Sequence, residues 1–169
     1  MLENFNEDNF QKNIKEILRI SNEYRDGWKL HQKEGTKSIY ITKKCIITLG
    51  VKHVDMPNIT VTFEYHIAYH KSYCVPILAF NIWKPDGTKL TLEEFWKYNS
   101  QFNTDSMYDT LTQLDHPVLQ TPILTLHPCR THEVIQPFIE HSKNPVVSWL
   151  TTIGHFVHLE LCQAYLKLC

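Results

Sequence analysis

The stretch LTLHPCRTHEV, residues 124–134, sets a cysteine directly behind a His-Pro step. An alternating apolar run precedes it and a polar, charged segment follows. Cys129 has His127, Arg130 and His132 as sequence neighbours. Nearby positive charge favours thiolate over thiol, and the thiolate is the nucleophile. Loops held on a rigid scaffold are where such chemistry concentrates. The residues alone leave two readings open, a reactive nucleophile and an inert loop thiol. The other cysteines suit chemistry less well. Cys45 falls on the apolar face of a strand, where a free cysteine serves as a small hydrophobe. Cys162 is expected inside the final helix, and Cys169 is the last residue. Cys74, in KSYCVP, sits just past a strand, where a loop thiol can be exposed.

Metal chemistry has little support. His127, Cys129 and His132 are close in sequence, but zinc sites take four ligands at recurring spacings, and no second pair is in register. His66 and His70 share a strand face about 13 Å apart, too far to chelate together. His155 and His158 are expected at i, i+3 on the last helix with no third ligand. Surface or packing roles fit these histidines better, and no metal or cofactor is expected.

The elements that must position Cys129 follow from periodicity. Asp8 is expected to cap a first helix whose stripe is Phe10, Ile14, Ile17, Leu18 and Ser21, ending near Gly27. Period two then takes over. In KSIYITKKCIITLG, Ile39, Ile41, Cys45, Ile47 and Leu49 share a face, with Lys43 as the exception. In NITVTFEYHIAYH, Ile59, Val61, Phe63, Tyr65, Ile67 and Tyr69 alternate with polar or small residues, which predicts one buried and one wet face. PILAFNIW gives a third strand, closed by the turn residues Pro85, Asp86 and Gly87. Thr91 and Glu94 have the form of a capping box opening a short helix through Phe95, Trp96 and Tyr98. Residues 99–117 are expected to be irregular, VLQTPILTL to be extended, and Pro137 to interrupt any helix begun at Thr131. Asn144 and Pro145 open a C-terminal helix with the stripe Val146, Trp149, Leu150, Ile153, Val157, Leu161 and Tyr165. The order predicts an α+β fold, an antiparallel β-meander between an N-terminal and a C-terminal helix, as one domain over residues 1–169.

The totals agree with that picture. A chain of 169 residues buries about 70% of its unfolded surface and needs no disulfides to build a core. Seventeen lysines and arginines face 18 acidic residues, so no global field draws it to nucleic acid. Six lysines and one acid between Trp28 and Lys52 form either a docking surface for an acidic partner or solvated strand faces. No apolar run approaches the roughly 20 residues that span a bilayer. The N-terminus lacks a basic head followed by an apolar block, so no secretory signal is expected. Five cysteines, an odd number, do not form a disulfide framework, which favours a reducing, cytoplasmic setting.

His127-Pro128-Cys129, behind an alternating meander and ahead of an apolar helix, together with YHKSYCVPILAFNIW (residues 69–83), resembles the autophagy branch of the ubiquitin-carrier enzymes over roughly residues 37–160. The resemblance implies a ubiquitin-carrier-like fold and a thioester relay. An activating enzyme, autophagy-related protein seven, would pass the C-terminal glycine of a ubiquitin-like modifier, autophagy-related protein twelve, to Cys129. A lysine of the acceptor, autophagy-related protein five, would then attack the thioester. Cysteine suits both steps, because the thiolate attacks well and leaves more readily than an alkoxide. The implied setting is the cytoplasm, with recruitment to sites of autophagosome formation. Ordinary carriers place His-Pro-Asn shortly before the cysteine. Here Val118 follows His116-Pro117, and the cysteine itself follows His127-Pro128, so no residue inherits the asparagine's place.

Two further site residues are expected. Tyr73 either orients the incoming amine through its hydroxyl or is simply a half-buried loop tyrosine. His127 either shapes the backbone or helps discharge the amine's proton. Two alternatives to the relay stand beside it. One is a non-catalytic module that binds a ubiquitin-like protein, for example by strand addition at a sheet edge. The other is the sister carrier that attaches a ubiquitin-like protein to phosphatidylethanolamine. That sister carries a long insertion and an amphipathic membrane helix. In residues 8–25 the cations Lys12, Lys15, Arg19 and Arg25 are offset by Asp8, Glu16 and Glu23, which suits packing better than a membrane surface.

Overall fold

Asn6, not Asp8, starts the first helix. In the computed structural model, which describes residues 5–50, 56–99 and 111–169, its side chain accepts from the Asn9 N–H at 2.9 Å. Helix α1 spans Glu7–Tyr24, so Asp8 lies one residue inside, where its charge complements the helix dipole. Phe10, Ile14, Ile17, Ile20 and Ser21 are buried; Ile20 takes the place expected for Leu18, which is half-buried. The helix stops at Arg25, which adopts a left-handed conformation.

Among the described residues six strands form one antiparallel sheet in the order β1-β2-β3-β4-β6-β5. The expected meander is its centre: β2 (Ile39–Leu49), β3 (Ile59–His70) and β4 (Val75–Trp83). Two edge strands were not foreseen, β1 (Lys29–Gln32) and β5 (Leu111–Asp115). Both are short and half-exposed, so neither carries a clean period of two. β5 corrects the expectation of irregular structure through residue 117; residues 100–110 lie outside the described residues. β6 (Pro122–Leu126) is the extended segment that leads to Cys129.

The exception on β2 has a structural reason. Lys43 is buried on the core face and its Nζ lies 2.6 Å from Asp26 Oδ1, while the Tyr165 hydroxyl donates to Asp26 Oδ2 at 2.8 Å. A buried charge persists only when paired in this way. The second face of β3 is not wet along its length. Tyr40, Ala68, Ile77, Ala79, Val118 and Ile123 form a smaller cluster there, with Val118 supplied by the β5–β6 turn.

Helices cover the other face. α2 (Leu92–Tyr98) opens with the expected capping box, the Thr91 N–H donating to Glu94 Oε2 at 2.7 Å and the Glu94 N–H to Thr91 Oγ1 at 3.2 Å. α3 (Thr131–Ile139) runs through Pro137 rather than ending there. Proline inside a helix costs about 3 kcal/mol. The helix ends two residues later, and the burial of Ile135 with the packing of Val134 and Phe138 on the core offsets that cost. α4 (Pro145–Ile153) begins at Asn144 as expected, with the Val147 N–H donating to Asn144 Oδ1 at 3.1 Å. The Asn144 amide also donates to Asn13 O at 2.9 Å and Glu16 Oε2 at 3.0 Å, tying α4 to α1.

The long C-terminal helix is a correction. It stops at Ile153, and a tight turn follows, Gly154–Val157, closed by His158 in the left-handed region and by the Leu159 N–H donating to Gly154 O at 2.9 Å. A Cβ on Gly154 would lie 2.5 Å from Leu159 O, so the close return of the chain requires glycine. The stripe is nevertheless packed inward: Val157 and Tyr165 are buried without being helical with α4, and the Tyr65 hydroxyl donates to Val157 O at 2.7 Å. Among the described residues no helix is long and apolar enough to cross a membrane.

Candidate active site

The pairing of β4 with β6 places the site. It is antiparallel, with Ala79 opposite Thr125 and Phe80 opposite Leu124, and the Thr125 hydroxyl donates to Leu78 O at 3.2 Å. The start of β4 therefore lies beside the end of β6. This brings the β3–β4 turn, residues 71–74, next to His127-Pro128-Cys129. Cys74 closes that turn with φ of 53°.

Pro128 opens a short turn of 3-10 helix, Pro128–Arg130, that runs directly into α3. Its fixed φ and missing N–H suit that position. His127 Nδ1 accepts from the Cys129 N–H at 3.2 Å, so the ring caps the turn and, when neutral, carries its proton on Nε2. Pro128 is buried, His127 half-buried, and Cys129 and Arg130 are exposed. The start of α3 sets the positive end of a helix dipole beside Cys129, the sign that a developing oxyanion needs.

Tyr73 meets His127 edge-on, with ring centroids 6.5 Å apart and planes at 74°. On its other side His70 packs against Tyr73 at 4.8 Å and 64°. Burial holds His70 below the ordinary imidazole value. Tyr73 and Cys129 thus each adjoin His127, and Tyr73 keeps 45% of its surface in solvent. His70 was not foreseen at this site; its strand-face position pointed only to packing.

The other expected candidates lie elsewhere or play other parts. Cys45 and Cys162 are half-buried, Cys74 and Cys169 exposed, and all five cysteines are free. Burial pushes the Cys45 thiol up. Cys162 precedes the last helical turn, Gln163–Leu168, rather than sitting in a long helix. His155 and His158 do not share a helix face; His158 Nε2 lies 3.1 Å from Asn99 Oδ1. Among the described residues no group of three His, Cys, Asp or Glu side chains is placed to hold a metal. His116 is fully buried, and its Nδ1 accepts from the N–H groups of Val118 and Leu119, both at 3.1 Å. It builds the β5–β6 turn.

Two hollows flank β6. A cleft of about 200 Å³ lies between the end of β6, α3 and α4, and includes His127 and Arg130 in its wall. A larger one, about 540 Å³, opens at the opposite end of β6, where β4 and β6 part around Asn81, Gln113 and Ile123. Of the two, the smaller is lined by residues that flank Cys129 in sequence.

A helix leading into an antiparallel sheet, with a cysteine exposed where the β6 strand turns into a helical segment, defines a ubiquitin-carrier-like α+β fold. Residues 9–163 match the family described as autophagocytosis associated protein, active-site domain. The chain belongs to that family. It is similar to the ubiquitin-like-conjugating enzyme ATG10 of Homo sapiens, 36% identical over 118 residues that make up 63% of this chain and 53% of the human protein. The ATG10 enzymes of Dictyostelium discoideum and Arabidopsis thaliana are each 29% identical, over 126 and 119 residues, 63% of this chain in both cases and 55% and 53% of theirs. The chain spans about half the length of these curated relatives.

Proposed function

We propose that this chain is a ubiquitin-like-conjugating enzyme of autophagy, acting as one catalytic domain in the cytoplasm at sites of autophagosome formation. Cys129 takes the C-terminal carboxyl of a ubiquitin-like modifier from an activating enzyme as a thioester, and a lysine of an acceptor protein then displaces it. In this reading the modifier is autophagy-related protein twelve, the activating enzyme autophagy-related protein seven and the acceptor autophagy-related protein five. The exposure of Cys129 at the β6–α3 junction, in a chain of this family, carries the proposal. The names of the relatives support it.

The roles divide by position. Cys129 Sγ is the nucleophile and later the leaving group. His127, bound to the Cys129 N–H, holds the backbone of the turn, and its Nε2 face is left to take the amine's proton. The Tyr73 hydroxyl orients the amine. What the protein supplies is positioning and electrostatics rather than a cofactor.

Mixing the chain with autophagy-related proteins seven and twelve and ATP tests this on non-reducing and reducing gels. A shifted band that vanishes with thiol reductant is expected. Cys129→Ala should abolish it, and Cys129→Ser should give an oxyester that survives reductant. A modifier bound equally well by wild type and Cys129→Ala, with no covalent band from either, would make the chain a binding module.

A further inference from the structure

His70 is the ring at the site to which the relay gives no part. It ends β3, half-buried and paired with Val75 across the β3–β4 ladder, so it stands on the sheet. Tyr73 stands on the turn that follows, residues 71–74, every one of them exposed. Among the described residues no hydrogen bond holds the Tyr73 hydroxyl. Its ring meets two others edge-on, His70 at 4.8 Å between centroids and His127 at 6.5 Å. The nearer contact is therefore to the residue with the firmer footing. His127 already has a task, since its Nδ1 accepts from the Cys129 N–H. A side chain on an exposed turn has several rotamers open to it, and holding it in one costs conformational entropy that a packed partner must offset. Edge-on ring packing is a favoured arrangement and supplies that partner. Burial holds His70 below the ordinary imidazole value, so near neutral pH the packed ring carries no charge to draw it into water.

We infer that His70 is a positioning residue for discharge of the thioester: it fixes the Tyr73 ring against His127, and so keeps the Tyr73 hydroxyl in one place relative to the turn that His127 caps. The inference rests on the thioester reading above and on the role given there to Tyr73. An amine attacks productively only from a narrow range of positions, and a misplacement of about 1 Å costs on the order of a hundredfold. A hydroxyl that swings with its turn is in place for only a fraction of the time. Loading of Cys129 involves no amine, so a loose Tyr73 ring leaves that step alone. Plain packing would act on both steps by lowering the folded fraction.

The test compares the two steps within each variant of the full chain. Loading is timed with autophagy-related proteins seven and twelve and ATP. Discharge is timed by a single-turnover chase of the loaded protein into autophagy-related protein five. Only folded chain loads, so discharge is read from folded molecules alone. In His70→Ala the ratio of discharge to loading should fall roughly tenfold. The loss should lie in the rate at saturating acceptor, not in the acceptor concentration that gives half that rate. His70→Phe keeps a ring in the same place and should restore the ratio. In a Tyr73→Ala background His70→Ala should subtract nothing more, because the ring it holds is gone. A wild-type ratio in His70→Ala beside a slow Tyr73→Ala would overturn the inference and leave the role of Tyr73 standing. An additive loss in the double variant, an equal fall in loading and discharge, or no recovery in His70→Phe would overturn it as well. Discharge by Tyr73→Ala at the wild-type rate would remove the role of Tyr73 and this inference with it. A wild-type chain that never loads would remove the relay and both.

Discussion

The chain contains two His-Pro steps, and the fold uses them in the same way at two places with opposite surroundings. His116 and His127 each present Nδ1 to a backbone N–H two residues on, at 3.1 Å and 3.2 Å. His116 also accepts from Leu119 and is fully buried, its ring against Tyr40 at 4.9 Å and His66 at 5.1 Å. His127 is half-buried, faces Tyr73, and is followed by an exposed cysteine. The shared device is a turn cap. The difference lies in what the capped turn displays: Val118 to an apolar cluster in one case, Cys129 to solvent in the other.

The comparison can be broken by removing each ring. His116→Ala strands two backbone donors and opens a cavity, so a loss of about 3 kcal/mol is expected in urea unfolding. His127→Ala frees one N–H that water can reach, and about 1 kcal/mol is expected. Equal losses would mean that the two caps are not distinguished by burial.

Protonation sharpens the same contrast. Burial pulls His116 from the imidazole value of 6.5 to about 4. The folded state therefore resists protonation, so the stability is fully present above pH 6.5 and is lost as pH falls towards 4. Between pH 7.5 and pH 5 this group alone removes about 2 kcal/mol. His66, also lowered by burial although Glu64 at 3.1 Å opposes it, adds the same sign. His116→Asn keeps a side-chain acceptor for the N–H two residues on without a group that titrates here. Urea midpoints across that range should show a shallower pH slope in the variant than in wild type. An unchanged slope would remove His116 as its source.

What was legible in the sequence follows the strength of the local signal. The alternation of β3 and the capping box of α2 are purely local patterns, and both elements formed, although the face of β3 read as wet is covered around Ala68. The long C-terminal helix failed because an apolar stripe at helical spacing also fits a chain that turns at Gly154 and returns its side chains to the same core. Lys43 looked like a break in a pattern until Asp26, from the loop after α1, arrived beside it. β1 and β5 are held by their neighbours' edges, which no short window contains. At the site, the cysteine and its His-Pro step were readable as types and spacing. The contact of Tyr73 with His127 and the cleft lined by His127 and Arg130 depend on the β4–β6 pairing and the seating of α4, both long-range.

The smallest expected effect is the most informative about the exposed cap. Tyr73→Phe keeps the ring, and with it the edge-on contacts to His70 and His127, and deletes only the hydroxyl of an exposed residue. Folding should be unmoved, and loading of the modifier onto Cys129 should proceed at the wild-type rate, because the thiol needs no help from an amine-orienting group. Discharge from a preformed thioester to the acceptor lysine should slow by roughly tenfold, a modest share of what positioned proton-handling groups contribute. Single-turnover chase of the loaded protein separates the two steps. Tyr73→Ala should slow discharge further, since it also frees the His127 ring that caps the turn. If Phe discharged at the wild-type rate and Ala slowly, the tyrosine would act through its ring alone, and the exposed His-Pro step would be a scaffold like the buried one.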